Sequence, residues 1–473
     1  MYERSCNTAG LQAGARLPAS PRGCRRQRTR TPCAGPGTRA RHVYARHATV
    51  GAGIASRTTA LNSLFWSGRP LVLAATLACA LLSACSVPAR LPAVPAEQTT
   101  QATVPGMVNV RYWPDVDTAA LERLSLETIR RMQAYRAAQG QTGPLPPAHF
   151  LALSGGGDDG AFGAGLLNGW TATGTRPSFG IVTGISTGAL IAPFAFLGPA
   201  YDPVLRKVYT ETRQADIFLT RPVFAAINND AMADTQPLWT LIGQNVDDDF
   251  LARIGAEYRK GRLLLIATTD IDARRPVLWD MGAIATSGAP GALDLFRRIM
   301  LASAAIPGVF PPVLIDVEVD GQSHQEMHVD GGAAAQVFLY PPSLNVKVLS
   351  KRYGIERERH AWIIRNARLD PSWASVERRT MSIAGRAVSS LIQYQGVGDL
   401  YRIYATTQRD GVDYNLAYIG SDFRVKHRDD FDPEYMRPLY EYGERLARNG
   451  YPWQKTPPGY IAPPPAKTMV VQH

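Results

Sequence analysis

The chain has 473 residues, length enough for more than one domain, and its 45% hydrophobic content suits a globular protein with a large core. Its formal net charge of +11 is concentrated at one end: residues 1–69 hold twelve Arg, no Lys and a single acidic residue, Glu3, whereas residues 70–473 hold 39 basic and 39 acidic side chains. A charge-balanced body excludes a nucleic-acid footprint, which requires a basic face.

In chain order, residues 1–60 are rich in Arg, Pro and Gly without a sustained apolar period. They are expected to be disordered or to precede the true start of translation. The uncharged stretch from Pro70 to Ala84 follows Arg57 and Arg69, is too short for a spanning helix and ends in small residues, so residues 61–84 read as a secretory signal. All five cysteines (Cys6, Cys24, Cys33, Cys79 and Cys85) lie at or before its end; a chain cut before Cys85 has no internal disulfide and no cysteine-built zinc site. Residues 85–147 are expected to be a Pro-, Thr- and Gln-rich tether followed by a helix over 115–136, with Leu121, Leu124, Thr128, Met132 and Tyr135 near one face.

Residues 148–345 alternate strand and helix signals. Strands are predicted over 150–153, 179–182 and 262–268, helices over 161–170, 186–196 and 294–304, and a hairpin turning at Asp320-Gly321 that delivers Asp330. This order predicts an α/β fold: a mostly parallel central sheet with helices on both faces. Residues 346–473 are expected to form a C-terminal α/β extension packed on the core, with a strand over 362–365 and helices over 383–404 and 433–448.

Three clusters carry chemistry. Ser186 sits in Gly184-Ile185-Ser186-Thr187-Gly188 directly after a strand, where flanking glycines allow a sharp turn that exposes a nucleophilic hydroxyl. Upstream, Gly155-Gly156-Gly157-Asp158-Asp159-Gly160 lies between a strand and a helix, so backbone N–H groups of Gly155, Gly156, Gly157 and Gly160 can converge on one negative oxygen. Downstream, Asp330 precedes Gly331 and Gly332 on a tight turn and can act as a base if burial lifts its pKa. A dinucleotide site on the first glycine cluster would want an acidic residue about 20 positions on. Residues 174–182 contain none, and no cofactor is expected.

The order and residues of these clusters resemble the patatin-like phospholipase family. The resemblance covers 150–335 and extends to Thr269-Asp270-Ile271-Asp272 and the run from Ala302 to Pro312. It implies the three-layer patatin-like fold and a Ser186–Asp330 dyad that needs no histidine. Gly156 and Gly157 would form much of the oxyanion hole, and the substrate would be a phospholipid or other acyl-ester lipid. Asp159 stands where many members carry Arg or Lys, so a cation in that loop is missing. Leu82-Ser83-Ala84-Cys85 resembles the lipobox of bacterial lipoproteins, which implies lipidation of Cys85 and membrane attachment in the bacterial cell envelope; Ser86 leans this toward the outer membrane. Two whole-protein expectations follow: a membrane-anchored serine lipid acyl hydrolase, or a non-enzymatic envelope lipoprotein on a degenerate fold. His324, Glu326, His328 and Asp330 alternate along one strand face, expected to be the solvated face of the hairpin rather than a metal site, with His328 a candidate to tune Asp330. Asp270 and Asp272 are expected to hydrogen-bond loop backbone.

Overall fold

A computed structural model describes residues 89–222 and 229–461; the proposed signal, the extension before it and Cys85 lie outside the described residues. Among the described residues, nine strands form one sheet. They are β1 (Arg111–Tyr112), β2 (Ala148–Leu153), β3 (Ile181–Gly184), β4 (Leu263–Asp270), β5 (Arg275–Asp280), β6 (Val313–Val319), β7 (Gln322–Asp330), β8 (Arg359–Arg368) and β9 (Asp413–Ile419). The order is β1-β5-β4-β3-β2-β8-β9, with β7 pairing β4 and β6 pairing β7. The five strands from β4 to β9 in this order run parallel, whereas β1, β5, β6 and β7 add antiparallel pairs at one side. The expected mixed α/β fold with a mostly parallel centre is the fold observed.

Strand alternation sorts the core into two faces. In β2, Leu151 and Leu153 join one cluster, while Ala148, Phe150 and Ala152 join another on the opposite side. In β4, Leu264 and Ile266 point one way, and Leu263, Leu265 and Ala267 the other. The first face is covered by α2 (Gly160–Ala172), α3 (Thr187–Leu197), α4 (Ala292–Ser303) and α6 (Pro433–Arg448); the second takes Leu121 and Leu124 from α1 (Thr118–Ala138) and Leu400 and Ile403 from α5 (Thr380–Asp410). Burying both faces explains why the central strands read as continuous apolar runs.

The C-terminal segment does more than pack on this core. Strands β8 and β9 lie inside the same sheet, β8 directly beside β2 with Arg359 opposite Ala148. Helix α6 presses against α2 so closely that a Cβ on Gly165 would collide with the Tyr440 carbonyl. Strand β9 escaped the sequence reading because its first half alternates the polar Asp413 and Asn415 with Tyr414 ahead of the apolar Leu416, Ala417 and Ile419; both polar residues pair with Lys455 at the sheet's edge.

The parallel strands end together, at the edge where open α/β sheets place their sites. Close contact there sets a local constraint. Helix α3 starts so near the end of β2 that a Cβ on Gly188 would overlap the Leu153 carbonyl. Gly188→Ala is therefore expected to destabilise the fold by about 2–4 kcal/mol, read as a lowered midpoint in thermal or urea unfolding followed by circular dichroism.

Candidate active site

Ser186 is the N-cap of α3, and its φ of 54° and ψ of −127° put a non-glycine residue in strained backbone. Its amide donates to Ser303 Oγ at 3.0 Å, and Ser303 donates on to the Ala267 carbonyl at 2.7 Å. The strained turn is thus tied to both α4 and β4. Gly184, at the end of β3, has the Gly188 carbonyl and Ala189 close against the place a Cβ would occupy, so both elbow glycines mark close backbone approach.

Asp330 ends β7 opposite Thr268 of β4. Its amide donates to Ala305 at 2.8 Å, its carbonyl accepts from Thr269 Oγ1 at 3.1 Å, and its Oδ1 accepts from the Gly332 amide at 2.6 Å. Burial pushes this carboxyl up to about 7, and the nearby Ser186 side chain and the Gly332 amide offset only part of the rise. The sequence-predicted nucleophile and base therefore meet, although 144 residues separate them. Gly331 packs on the Ala267 carbonyl and so seats the Asp330 turn against β4.

The glycine loop needs a correction. Of its four expected oxyanion donors, two are already engaged: the Gly155 amide donates to the Gln336 carbonyl at 3.0 Å, and the Gly160 amide to the carbonyls of Asp158 and Gly157 as α2 begins. An N–H with an intramolecular acceptor is not available to a substrate oxygen. The amides of Gly156 and Gly157 have no intramolecular partner among the described residues. Gly155 instead fixes the distance: a Cβ on it would lie 3.1 Å from the Ser186 Cβ.

Asp158 and Asp159 hold the loop to the C-terminal segment. Asp158 accepts from His427 at 2.7 Å and from the Phe431 amide at 3.0 Å; Asp159 accepts from the Tyr435 hydroxyl at 2.5 Å. Burial raises the Asp159 carboxyl to about 6 despite Tyr435. Burial works to lower His427, but Asp158 beside it leaves its pKa above the ordinary histidine value.

The alternating face of β7 also departs from expectation. His324, Glu326 and His328 are buried, not solvated. His328 contacts Thr268 Oγ1 at 2.9 Å through Nδ1 and Glu326 at 3.1 Å through Nε2, so neither ring nitrogen reaches Asp330. Asp270, Glu326 and His328 could bring ligand atoms within 4.8 Å of one another, yet Arg111 already pairs with Glu326 there. Burial would raise the Glu326 carboxyl, but His328 and Arg111 hold it below the usual range. The cluster is an internal ion-pair network. Asp270 caps its loop as expected, accepting from the Asp272 and Ala273 amides, while Asp272 pairs with Arg90.

Three residues at the site escaped the sequence reading: Ser303, Gln336 and Arg365. Ser303 lay in a recognisable segment, between Ala302 and Ala304, without a visible role. Gln336 carries no pattern; its Nε2 donates to the Gly332 carbonyl at 2.8 Å and to Gln395 at 3.1 Å. Arg365 looked like the charged end of a strand and instead is buried, donating to the Gly155 carbonyl at 3.1 Å.

Residues 151–341 match the family model of patatin-like phospholipases. This stretch is similar to a patatin-like phospholipase domain. The match spans the glycine loop, Ser186 and Asp330, and supports lipid acyl hydrolysis at the level of the family. No curated protein matches the chain. Among solved structures, VipD from Legionella pneumophila is similar at 11% identity over 65% of this chain and 67% of that one, with a TM-score of 0.28, a likeness too weak to bear on function.

The raised Asp330 value sets a pH dependence. Unfolded, the carboxyl titrates near ~3.9; folded, near 7, so the native state holds the extra proton between these values and loses relative stability as pH rises through them. Asn carries no charge to desolvate. Asp330→Asn is expected to melt close to the wild type at about pH 4 and higher by roughly 5 °C at about pH 8, measured by differential scanning calorimetry.

Proposed function

We propose that the protein is a membrane-anchored serine lipid acyl hydrolase of the phospholipase A or esterase type, working through a Ser186–Asp330 dyad. The observation that carries this reading is the meeting of Ser186, on its strained turn, with the buried Asp330 carboxyl, which burial pushes up to about 7. A carboxylate of that basicity can take the serine proton near neutral pH without a histidine. Ser186 Oγ then attacks the ester carbonyl, and the negative tetrahedral oxygen is met by the free amides of Gly156 and Gly157. Asp330 returns the proton to the departing alcohol oxygen, leaving an acyl-serine. Water attacks that ester next, giving its proton to Asp330, and the fatty acid leaves as Ser186 recovers its hydrogen.

A lipid surface as the working environment is supported by the N-terminal half of α5 and the segment before it. Trp373 is 89% exposed, Met381 75%, Leu391 70% and Tyr394 69%. Met381, Ala384, Val388 and Leu391 recur at the spacing of one helical stripe. Arg378 and Arg379 are exposed beside it and Arg386 is half-buried, a combination suited to an anionic bilayer surface. The arm starts at the site: Gln395 bonds Gln336, which in turn bonds the Gly332 carbonyl. Among the described residues no helix is long and apolar enough to cross a membrane, and the proposed anchor is instead acylated Cys85, in the bacterial cell envelope and on the outer membrane.

A fluorophosphonate probe is expected to label the wild type and to fail on Ser186→Ala. Asp330→Asn should keep its circular dichroism and lose at least ~10²-fold in hydrolysis of a short-chain ester, whose wild-type rate rises with pH around 7. An unlabelled, inactive wild type would leave the non-enzymatic lipoprotein. On vesicles of phosphatidylcholine and phosphatidylglycerol, Val388→Ser with Leu391→Ser is expected to cut binding and phospholipid hydrolysis several-fold while sparing the soluble ester. In cells, Cys85→Ser should shift the protein from the membrane fraction to the soluble one.

A further inference from the structure

Arg365 is 2% exposed on β8, and its Nε has no hydrogen-bond partner. Among the described residues no carboxylate pairs with it directly: the hydrogen bond it makes is from Nη1 to the Gly155 carbonyl. Burial pulls its guanidinium down to about 10, while Asp399 and Asp159 act in the other direction. A cation taken out of water for a backbone carbonyl is an expensive arrangement.

The carbonyl it holds is not an ordinary one. Ser154 Oγ donates to the same oxygen at 2.7 Å, so two donors converge on it. That oxygen belongs to the peptide unit linking Gly155 to Gly156. The unit is planar and trans, so its N–H points away from the side its carbonyl faces. With the oxygen turned toward Arg365 and Ser154, the Gly156 N–H is turned the opposite way, and it has no intramolecular acceptor. Gly155 itself lies against the Ser186 Cβ, so the free N–H belongs to the peptide next to the nucleophile.

Charge gives the arrangement a purpose. Asp158 and Asp159 place two carboxyl groups in the loop that would have to accommodate a negative oxygen. Electrostatically they oppose it. Asp158 is countered by His427, and the charge bonded to the Gly155–Gly156 peptide is Arg365.

We propose that Arg365 is a positioning residue for the oxyanion hole: it locks the Gly155–Gly156 peptide with the Gly156 N–H presented to the substrate oxygen. By withdrawing electron density from the Gly155 carbonyl it also strengthens that N–H as a donor. The positive charge the glycine loop lacks is thereby delivered from β8, through one peptide unit. This rests on the acyl-hydrolase reading above, and it assigns to the C-terminal segment a part in transition-state stabilisation.

The experiment compares kcat and KM for a short-chain ester in the purified wild type, Arg365→Met, Arg365→Lys and Gly396→Ala. Gly396→Ala leaves the charge in place but sets a Cβ 2.7 Å from Arg365 Nη2, so it nudges the guanidinium without removing it. Expected are a kcat loss of ~10²-fold in Arg365→Met with KM within about threefold, partial recovery in Arg365→Lys, and a several-fold kcat loss in Gly396→Ala. Loss of an oxyanion donor also predicts slower fluorophosphonate labelling in the same rank order. If Arg365→Met melts cooperatively and keeps kcat within twofold, the proposal is overturned. Should Arg365→Met fail to fold, unchanged kcat in both Arg365→Lys and Gly396→Ala overturns it instead. A wild type without Ser186-dependent hydrolysis would remove the enzyme reading itself, an outcome distinct from an active wild type indifferent to Arg365.

Discussion

The rest of the site is arranged around one costly constraint: Asp330 is a carboxyl kept from water and, among the described residues, no cation is bonded to it. Its carboxyl accepts from the Gly332 amide beside the Ser186 side chain, its own amide donates to Ala305, and its carbonyl accepts from the Thr269 hydroxyl. A paired lysine or arginine would stabilise the carboxylate and, by doing so, weaken it as a base. Cations near the site are placed elsewhere. Arg111 serves Glu326 on the far part of the same strand, and Arg365 serves a carbonyl. Separating positive charge from Asp330 while supplying it to the glycine loop gives the two functional groups opposite electrostatic surroundings within one sheet edge.

Backbone proximity is the second organising fact, and it follows from the first. To exclude water from Asp330 the chain has to close tightly over it, so Gly331 lies on Ala267, Gly155 lies on Ser186 and Gly188 lies on Leu153. Ser303 takes up the Ser186 amide within this crowded space and passes its own hydrogen to β4. Side chains elsewhere on the same edge, such as Gln336, spend their polar atoms stitching loops together.

Much of this was legible in the sequence. The apolar runs of β2, β3 and β4 announced a sheet buried on both faces, and the glycines around Ser186 and after Asp330 announced turns too tight for side chains. Periodicity failed where polar residues are buried. The His324–Glu326–His328 face of β7 looks solvated because its residues are polar, and only the fold reveals that Arg111 and Thr268 wait opposite. Likewise a list of glycines cannot tell which amides are free, since Gly155 and Gly160 lose theirs to acceptors set by tertiary structure. Arg365 is the sharpest case. Its type and position suggest a solvent-facing strand end, and nothing local to Ile364-Arg365-Asn366 points to a carbonyl two hundred residues earlier.

The latch between the glycine loop and the C-terminal segment has a consequence for how the molecule comes into being. Asp158 and Asp159 are secured by His427, Phe431 and Tyr435, and α2 nests against Tyr440. A chain that holds Ser186 and Asp330 still has an unbraced loop until α6 and the segment before it are in place. Completion of the loop therefore depends on residues beyond the stretch matched to the patatin-like model, so losing them would leave the glycine loop unbraced even with Ser186 and Asp330 in place.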